Sequence, residues 1–267
     1  MDNIVERLFK ELSTFDEVEA IALGGSRAGD VYDEKSDYDV YLYCTAPVPE
    51  AARRKLLSDY CKHIEIGNSF WEYEDNCVLN DGVDIDILYR NLDDFAQGIS
   101  RVVDECKASN GYTTCMWHNL KTCKIIYDRD GRLTALKKRY SCEYPEQLQT
   151  NIIERNMKLL RYSMPAYNLQ IKKAAERGDM VSVNHRVAEY LASYFDIIFA
   201  MNKLTHYGEK RLVLLCEQNC KILPADFHSN LDALFADMFT NTDKVPDDIE
   251  RITDNLEKVL QGYSFAS

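Results

Sequence analysis

The hydrophobic pattern of this chain changes at about residue 145, and that change limits the folds open to it. Before that point, short stretches in which polar and apolar residues alternate, as in β-strands, are mixed with helical stretches. After it, apolar residues recur only at helical spacing. We therefore expect an α+β domain over residues 1–142, built as a small mixed sheet flanked by helices, followed by an all-α helical bundle domain over residues 143–267.

The same pattern places the individual elements. It predicts strands at 18–23, 38–43, 70–74 and 83–89, with a short apolar run at 124–127. A tight turn at Asn80-Asp81-Gly82 should precede the last of those four strands. Predicted helices lie at about 2–13, 50–62, 92–107 and 113–121, and then at about 145–177, 179–203, 208–218, 224–239 and 246–262.

Charge and composition narrow the class of protein. The 44 acidic residues exceed the 32 basic ones, which gives a net charge of −12 and no basic footprint for nucleic acid. The first six residues resemble no signal peptide, and the most apolar stretch, at 190–201, is too short to span a bilayer. The nine cysteines contain no Cys-x-x-Cys pair. We expect a cytoplasmic protein with free thiols, no nucleic acid partner and no membrane.

Two pairs of aspartates stand on two of the predicted strands. Asp37 and Asp39 open one strand, and Asp84 and Asp86 lie on a later one. Residues i and i+2 share a face of a strand, so each pair projects together. Crowded carboxylates are normally paired or bound to metal, and no Lys or Arg is interleaved with either pair. The pattern indicates a site for a hard divalent cation such as Mg²⁺.

A glycine turn ends the strand before the first aspartate pair. Gly24 and Gly25 allow the backbone to approach a phosphate closely, and Ser26 adds a hydroxyl donor. Arg27 either adds a charge to a phosphate or is simply solvated. The turn is not a P-loop, because no Gly-Lys-Ser/Thr follows. A phosphate cradle beside metal-binding carboxylates is typical of metal-assisted transfer at the α-phosphorus of a nucleoside triphosphate.

The spacing of these motifs resembles the DNA polymerase β-type nucleotidyltransferase superfamily. The triple consists of Gly24-Gly25-Ser26, then Asp37-Tyr38-Asp39, then an aspartate in a later hydrophobic strand. Within that superfamily, the chain is similar to aminoglycoside and lincosamide nucleotidyltransferases and their bacterial relatives. A weaker resemblance covers residues 199–202 and 207–210, which look like the helix end and turn of several of their C-terminal domains.

The resemblance implies roles for particular residues. Asp37, Asp39 and Asp86 would be the catalytic and metal-binding carboxylates, holding two Mg²⁺ ions, and Asp86 would also act as general base on the acceptor. The nucleotide, ATP or another nucleoside triphosphate, would be held by Gly24, Gly25, Ser26, Arg27 and Lys210. Asp84 is the alternative to Asp86. We favour Asp86, because it lies between Ile85 and Ile87.

Several other residues allow two interpretations. Glu189 interrupts an apolar helix and either reaches a cleft or has a structural partner. Trp71, Tyr73 and Trp117 either stack on a ring or pack in the core, which is the default for aromatic residues. None of the five histidines has the spacing of a metal ligand.

The resemblance predicts transfer of a nucleoside monophosphate, AMP from ATP by preference, to a hydroxyl of a small molecule such as an aminoglycoside. Pyrophosphate would leave. Three alternatives stay open: a protein adenylyltransferase of the toxin–antitoxin type, a non-catalytic nucleotide-binding module of the same fold, and a transferase acting on RNA ends. The last would require a basic groove that the sequence does not show.

Overall fold

A computed structural model describes residues 3–28, 36–70 and 72–262. The chain divides into two compact units. The first contains the residues up to Ser100 together with Met116–Cys142, and the second contains Arg101–Cys115 and the residues from Glu143 onward. The predicted domains 1–142 and 143–267 stay a prediction: the units also separate after Cys142, but Arg101–Cys115 groups with the second unit.

A mixed β-sheet forms the centre of the first unit. Its strands are β1 (Val18–Leu23), β2 (Tyr38–Cys44), β3 (Cys61–Asn68), β4 (Glu74–Leu79), β5 (Asp84–Arg90) and β6 (Lys124–Asp128). Their order across the sheet is β3-β4-β5-β2-β1-β6. Strands β2 and β5 run parallel, and the other neighbouring pairs are antiparallel. The predicted mixed sheet is confirmed.

Helices accompany the sheet. Those before residue 140 are α1 (Asn3–Leu12), α2 (Glu50–Leu57), α3 (Leu92–Val103), α4 (Cys115–Thr122) and α5 (Arg132–Arg139). Leu8 on α1 packs in one core with Val40 and Leu42 of β2 and with Ile85 and Ile87 of β5. Because alternate residues of a strand point to opposite faces, this core leaves the intervening aspartates of β2 and β5 on the other face of the sheet.

A buried ion pair stabilises the core side of the sheet. Asp75 on β4 is 0% exposed and Arg53 on α2 is 1% exposed, and the two form a salt bridge. The carboxylate of Asp75 also accepts hydrogen bonds from the amide of Gly67 at 2.9 Å and from the hydroxyl of Tyr89 at 2.8 Å. Its charge is therefore compensated, as a buried carboxylate requires.

Helices make up the second unit, in agreement with the predicted all-α region. They are α6 (Glu146–Met157), α7 (Tyr167–Glu176), α8 (Met180–Met201), α9 (Leu212–Asn219), α10 (Phe227–Thr240) and α11 (Val245–Gly262). Helix α8 packs against α6 and α7, and α11 packs against α7 and α10. In the part of the chain that is described, no helix is long and apolar enough to cross a membrane.

A polar network is buried at α8. Asp196 is 1% exposed, and its carboxylate accepts hydrogen bonds from the amide and hydroxyl of Thr113 and from the side-chain amide of Asn156. Burial raises the pKa of Asp196 to about 7, although these hydrogen bonds act in the opposite direction. The carboxyl group thus titrates near neutral pH.

The strand predicted at 70–74 was wrong, apart from Glu74, where β4 begins. Residues 70–73 form no strand where the structure describes them, and Phe70 is 83% exposed. The helix predicted at 50–62 was also too long. Helix α2 ends at Leu57, and an edge strand, β3, follows it. This strand alternates exposed polar residues with Ile64 and Ile66, which pack against the core. The helix was predicted to extend into β3 because edge strands contain more polar residues than central ones, and the start of this strand was therefore hard to recognise.

The long helix predicted at 145–177 is interrupted. It consists of α6, a π-helical turn at Lys158–Tyr162 and α7. Pro165 lies in the gap, and a proline has no amide hydrogen with which to continue a helix. Helix α5 was not predicted from the sequence pattern.

Candidate active site

Three carboxylates meet on the face of the sheet opposite the core. One oxygen each of Asp37, Asp39 and Asp86 lies within 4.8 Å of the others. The register of the parallel pair places Asp39 directly opposite Asp86, and Asp37 lies just before β2. All three residues are half-exposed, so the cluster is open to a ligand from solvent.

The cluster suits a hard divalent cation. Oxygens bound to one such ion at about 2.0–2.6 Å lie no more than roughly 5 Å apart, which the observed separations satisfy. Three carboxylates this close repel one another when ionised, and a cation removes that repulsion. Asp37, Asp39 and Asp86 are therefore the residues that would hold the metal.

The glycine turn lies against this cluster. Gly25 has φ +58°, and a Cβ atom there would lie 1.8 Å from Oδ2 of Asp39. A Cβ atom on Gly24 would lie 2.4 Å from Cε2 of Tyr41. The amide of Gly24 donates to the carbonyl oxygen of Asp39 at 2.8 Å. A side chain at either position would displace Asp39 or Tyr41, because the turn approaches β2 so closely.

The other predicted nucleotide ligands of this turn are only partly described. Ser26 begins a short 3₁₀ turn, and its side chain falls outside the described part of the chain. Arg27 donates from Nε to the carbonyl oxygen of Ser36 at 2.5 Å, and its guanidinium lies 3.9 Å from the centre of the Tyr38 ring. Arg27 thus links the two ends of the segment that joins the turn to β2. Contacts of Ser26 and Arg27 with phosphate stay a prediction.

Asp84 and Asp86 have different surroundings. Asp84 is exposed at the start of β5, opposite Val78, and is not part of the cluster. Asp86 accepts a hydrogen bond from Nδ2 of Asn76 at 2.7 Å. Sequence reasoning missed Asn76, because its relation to Asp86 depends on the register of β4 and β5. Glu74 and Asn76, which are polar and two residues apart, were the available signal.

Further acidic groups surround Asp86. Burial, together with the nearby carboxylates of Asp86 and Glu72, raises the pKa of Glu74 above its ordinary value, although a hydrogen bond from Asn76 lowers it. Glu65 lies opposite Asn76 on the edge strand β3 and is exposed. This face of the sheet therefore carries negative potential beyond the three aspartates.

The predicted residues of the second unit are described within that unit. Lys210 is exposed before α9. Glu189 on α8 accepts a hydrogen bond from the hydroxyl of Tyr167 at 3.4 Å. Asn202 follows the last residue of α8. Its Nδ2 donates to the carbonyl oxygen of Ile222, and its Oδ1 accepts from the amide of Ile222, at 2.9 Å each. The roles predicted for Lys210 and Glu189 stay predictions, whereas Asn202 has a structural task.

The aromatic residues that allowed two interpretations differ in their surroundings. Trp117 is 1% exposed, and its ring nitrogen donates to the carbonyl oxygen of Tyr140 at 2.8 Å, so it packs in the core. Tyr73 is 40% exposed, and its hydroxyl accepts from Arg53 at 2.6 Å. Trp71 lies outside the described residues.

Two known families match consecutive parts of the chain. Residues 5–108 match the family described as a nucleotidyltransferase domain, and residues 113–209 match a domain of unknown function (DUF4037). The first match contains the glycine turn and all three clustered aspartates. The comparison with curated proteins gives no match.

Three solved structures are similar to this chain at low sequence identity. A nucleotidyltransferase-like protein from Exiguobacterium sibiricum 255-15 is 13% identical, with a TM-score of 0.44 over 97% of this chain and 75% of that one. An aminoglycoside 6-adenyltransferase from Bacillus subtilis is 8% identical, with a TM-score of 0.29 over 97% and 90%. A CCA-adding enzyme from Thermotoga maritima, complexed with tRNA, is 9% identical, with a TM-score of 0.31 over 97% and 80%.

These TM-scores are all below 0.5, so the assignment depends on the match to residues 5–108 and on the motifs that lie within it. The glycine turn, the Asp37-Tyr38-Asp39 motif and Asp86 occur there in the expected order. The resemblance inferred from the sequence is confirmed. Residues 5–108 form a nucleotidyltransferase domain of the DNA polymerase β type, and this domain supports a transferase that acts on nucleotides.

Proposed function

We propose that the protein transfers a nucleoside monophosphate, AMP from ATP by preference, to a hydroxyl group of a small cationic molecule such as an aminoglycoside. The observation that carries this proposal is the convergence of Asp37, Asp39 and Asp86 beside a glycine turn. Carboxylates for a divalent cation and a backbone that permits close approach of phosphates are the two requirements of such a transfer.

Each group has a task in this reaction. Asp37, Asp39 and Asp86 hold Mg²⁺, which supplies charge stabilisation to the attacking and leaving oxygens when it is bound. The glycine turn holds the triphosphate through backbone N–H groups. Asp86 accepts or orients the proton of the acceptor hydroxyl. The hydroxyl oxygen then bonds to the α-phosphorus, the bond from that phosphorus to the β-phosphate oxygen breaks, and pyrophosphate leaves.

The charge of the site favours a cationic acceptor over an anionic one. Glu74 and Glu65 lie on the same sheet face as Asp86, beyond the carboxylates needed for metal. The whole chain carries a net charge of −12. A negative surface attracts amino groups and repels the phosphates of RNA.

Pyrophosphate release tests the proposal. Each of the four nucleoside triphosphates is supplied with Mg²⁺ and a panel of aminoglycosides, lincosamides and other polyols. We expect release that depends on Mg²⁺ and on a cationic polyol, with ATP as the best donor. A parallel reaction with labelled ATP and a cell extract identifies any labelled protein or RNA. Labelling of a macromolecule, with no small molecule modified, would contradict the proposed acceptor class.

A further inference from the structure

Asn76 lies beside Asp86 on the neighbouring strand. The antiparallel register of β4 and β5 pairs the two residues directly, and Nδ2 of Asn76 donates to Oδ1 of Asp86 at 2.7 Å. A hydrogen bond to one oxygen restricts rotation of the carboxylate about the bond that joins it to Cβ. Asn76 thus acts on the orientation of a carboxylate that belongs to the aspartate cluster.

A second amide fixes the orientation of Asn76. Nδ2 of Asn68 donates to Oδ1 of Asn76 at 2.6 Å and also to Oε2 of Glu65 at 3.1 Å. An ionised carboxylate only accepts hydrogen bonds, so Asn76 must present its nitrogen to Asp86 and its oxygen to Asn68. The carboxylates of Asp86 and Glu65, at the two ends of this chain of bonds, therefore set the direction of both amides.

We propose that Asn76 is a positioning residue of the metal site, which holds the Asp86 carboxylate in the orientation that binds a divalent cation together with Asp37 and Asp39. The inference rests on the proposed function, because it assumes that the three carboxylates bind metal. Residues that hydrogen-bond to metal ligands typically change metal affinity by about 10-fold to 100-fold when they are replaced.

A purely structural task for Asn76 predicts something different. Directly opposed side chains on neighbouring strands contribute modestly to the stability of a sheet. In that case, replacing Asn76 lowers the melting temperature but leaves the cation affinity unchanged. Cation binding by the folded protein therefore separates positioning from sheet stabilisation.

The experiment measures Mn²⁺ binding to the full chain by electron paramagnetic resonance, without nucleotide or acceptor. Asn76→Leu removes the donor at nearly constant volume. Val78→Ala is the matched control, because Val78 is half-buried on the same strand and face but lies opposite Asp84. We expect Asn76→Leu to weaken Mn²⁺ binding by at least about 10-fold, and Val78→Ala to leave it within about twofold of the wild type.

Other outcomes overturn the inference in distinguishable ways. If Asp37→Ala abolishes Mn²⁺ binding but Asn76→Leu leaves it within about twofold, Asn76 does not position Asp86 and the proposed function stands. An equal loss in Val78→Ala also overturns the inference, because any change in β4 then has the same effect. If the wild type binds no Mn²⁺, or Asp37→Ala binds it as well as the wild type does, the proposed metal site fails together with the inference.

A second variant keeps the test decisive if Asn76→Leu does not fold. Asn68→Ala leaves Asn76 in place but removes the donor that orients its amide. We expect Mn²⁺ binding to weaken by about twofold to fivefold, less than for a direct loss of the Asp86 contact. An unchanged affinity in a folded Asn68→Ala protein contradicts the proposal.

Discussion

Asp39 and Asp86 lie directly opposite one another on the parallel strands β2 and β5. Parallel neighbours bring equivalent ends of two strands together, so residues that are distant in the sequence share one place on the sheet. Their common face is the one that the apolar core leaves free. The same alternation that builds the core therefore also brings the carboxylates together.

Replacement of Gly25 should displace Asp39. In Gly25→Ala, the new Cβ atom would meet the end of the Asp39 side chain, which can move, so we expect a folded protein. Activity should fall on the order of 100-fold, because a shift of about 1 Å in a reacting group costs that much. Pyrophosphate release measures the loss. Gly131→Ala is the control, since Gly131 also has positive φ, +72°, but no atom lies within 4 Å of the added Cβ. Equal losses in the two variants would contradict the account.

The ion pair between Arg53 and Asp75 should be essential to the first unit. Arg53→Met leaves a fully buried carboxylate without its charge partner, and we expect the free energy of unfolding to fall by about 3–5 kcal/mol. Adding Asp75→Asn removes the stranded charge and should restore part of that loss. Urea denaturation of the two single variants and the double variant measures the coupling. Strictly additive effects, or a loss under about 1 kcal/mol for Arg53→Met, would show that the pair is dispensable.

The buried carboxyl group of Asp196 predicts a pH dependence of stability. Its pKa is about 7 in the folded protein and about 3.9 in the unfolded chain, so the folded state binds more protons between those values. This group stabilises the fold fully below about pH 4, and its contribution is lost as the pH rises through 7.

Asp196→Asn isolates that contribution. Relative to the wild type, the variant should gain stability as the pH rises from 5 to 7, by at most about 1.4 kcal/mol per pH unit. Above about pH 7.5 the difference should level off. Thermal or urea unfolding of both proteins across this range checks the slope. A difference that does not change with pH, or that falls as the pH rises, would disprove the titration.

The two aspartates of β5 should differ in function. Asp86→Asn removes a member of the cluster, and we expect pyrophosphate release to fall by at least about 100-fold, because a catalytic metal contributes several kcal/mol. Asp84→Asn changes an exposed side chain outside the cluster and should keep activity within about threefold of the wild type. Both substitutions replace a carboxylate with an amide of similar size, so they change the charge equally. A larger loss of activity in Asp84→Asn than in Asp86→Asn would assign the third carboxylate to Asp84.

Local patterns were sufficient to predict part of this fold. The alternation around Val40 and Leu42, and around Ile85 and Ile87, is determined by the core, so the two central strands and the face of their aspartates were predictable. The change to helical periodicity near residue 145 likewise predicted the helices of the second unit.

The rest depends on pairings that no local pattern contains. The register that places Asn76 against Asp86 results from the way β4 folds back on β5. The burial of Asp196 depends on Thr113 and Asn156, which are distant in the sequence. Strand β3 was missed because edge strands contain many polar residues, and its two isoleucines are a weak signal.

A crystal structure with Mn²⁺ and a non-hydrolysable ATP analogue would test the central claim most directly. The claim is that Asp37, Asp39 and Asp86 hold a divalent cation next to the triphosphate. We predict an anomalous scattering peak within coordination distance, about 2.0–2.6 Å, of a carboxylate oxygen of all three residues, with the triphosphate beside Gly24 and Gly25. A cation bound elsewhere, or a triphosphate bound away from the glycine turn, would contradict the account.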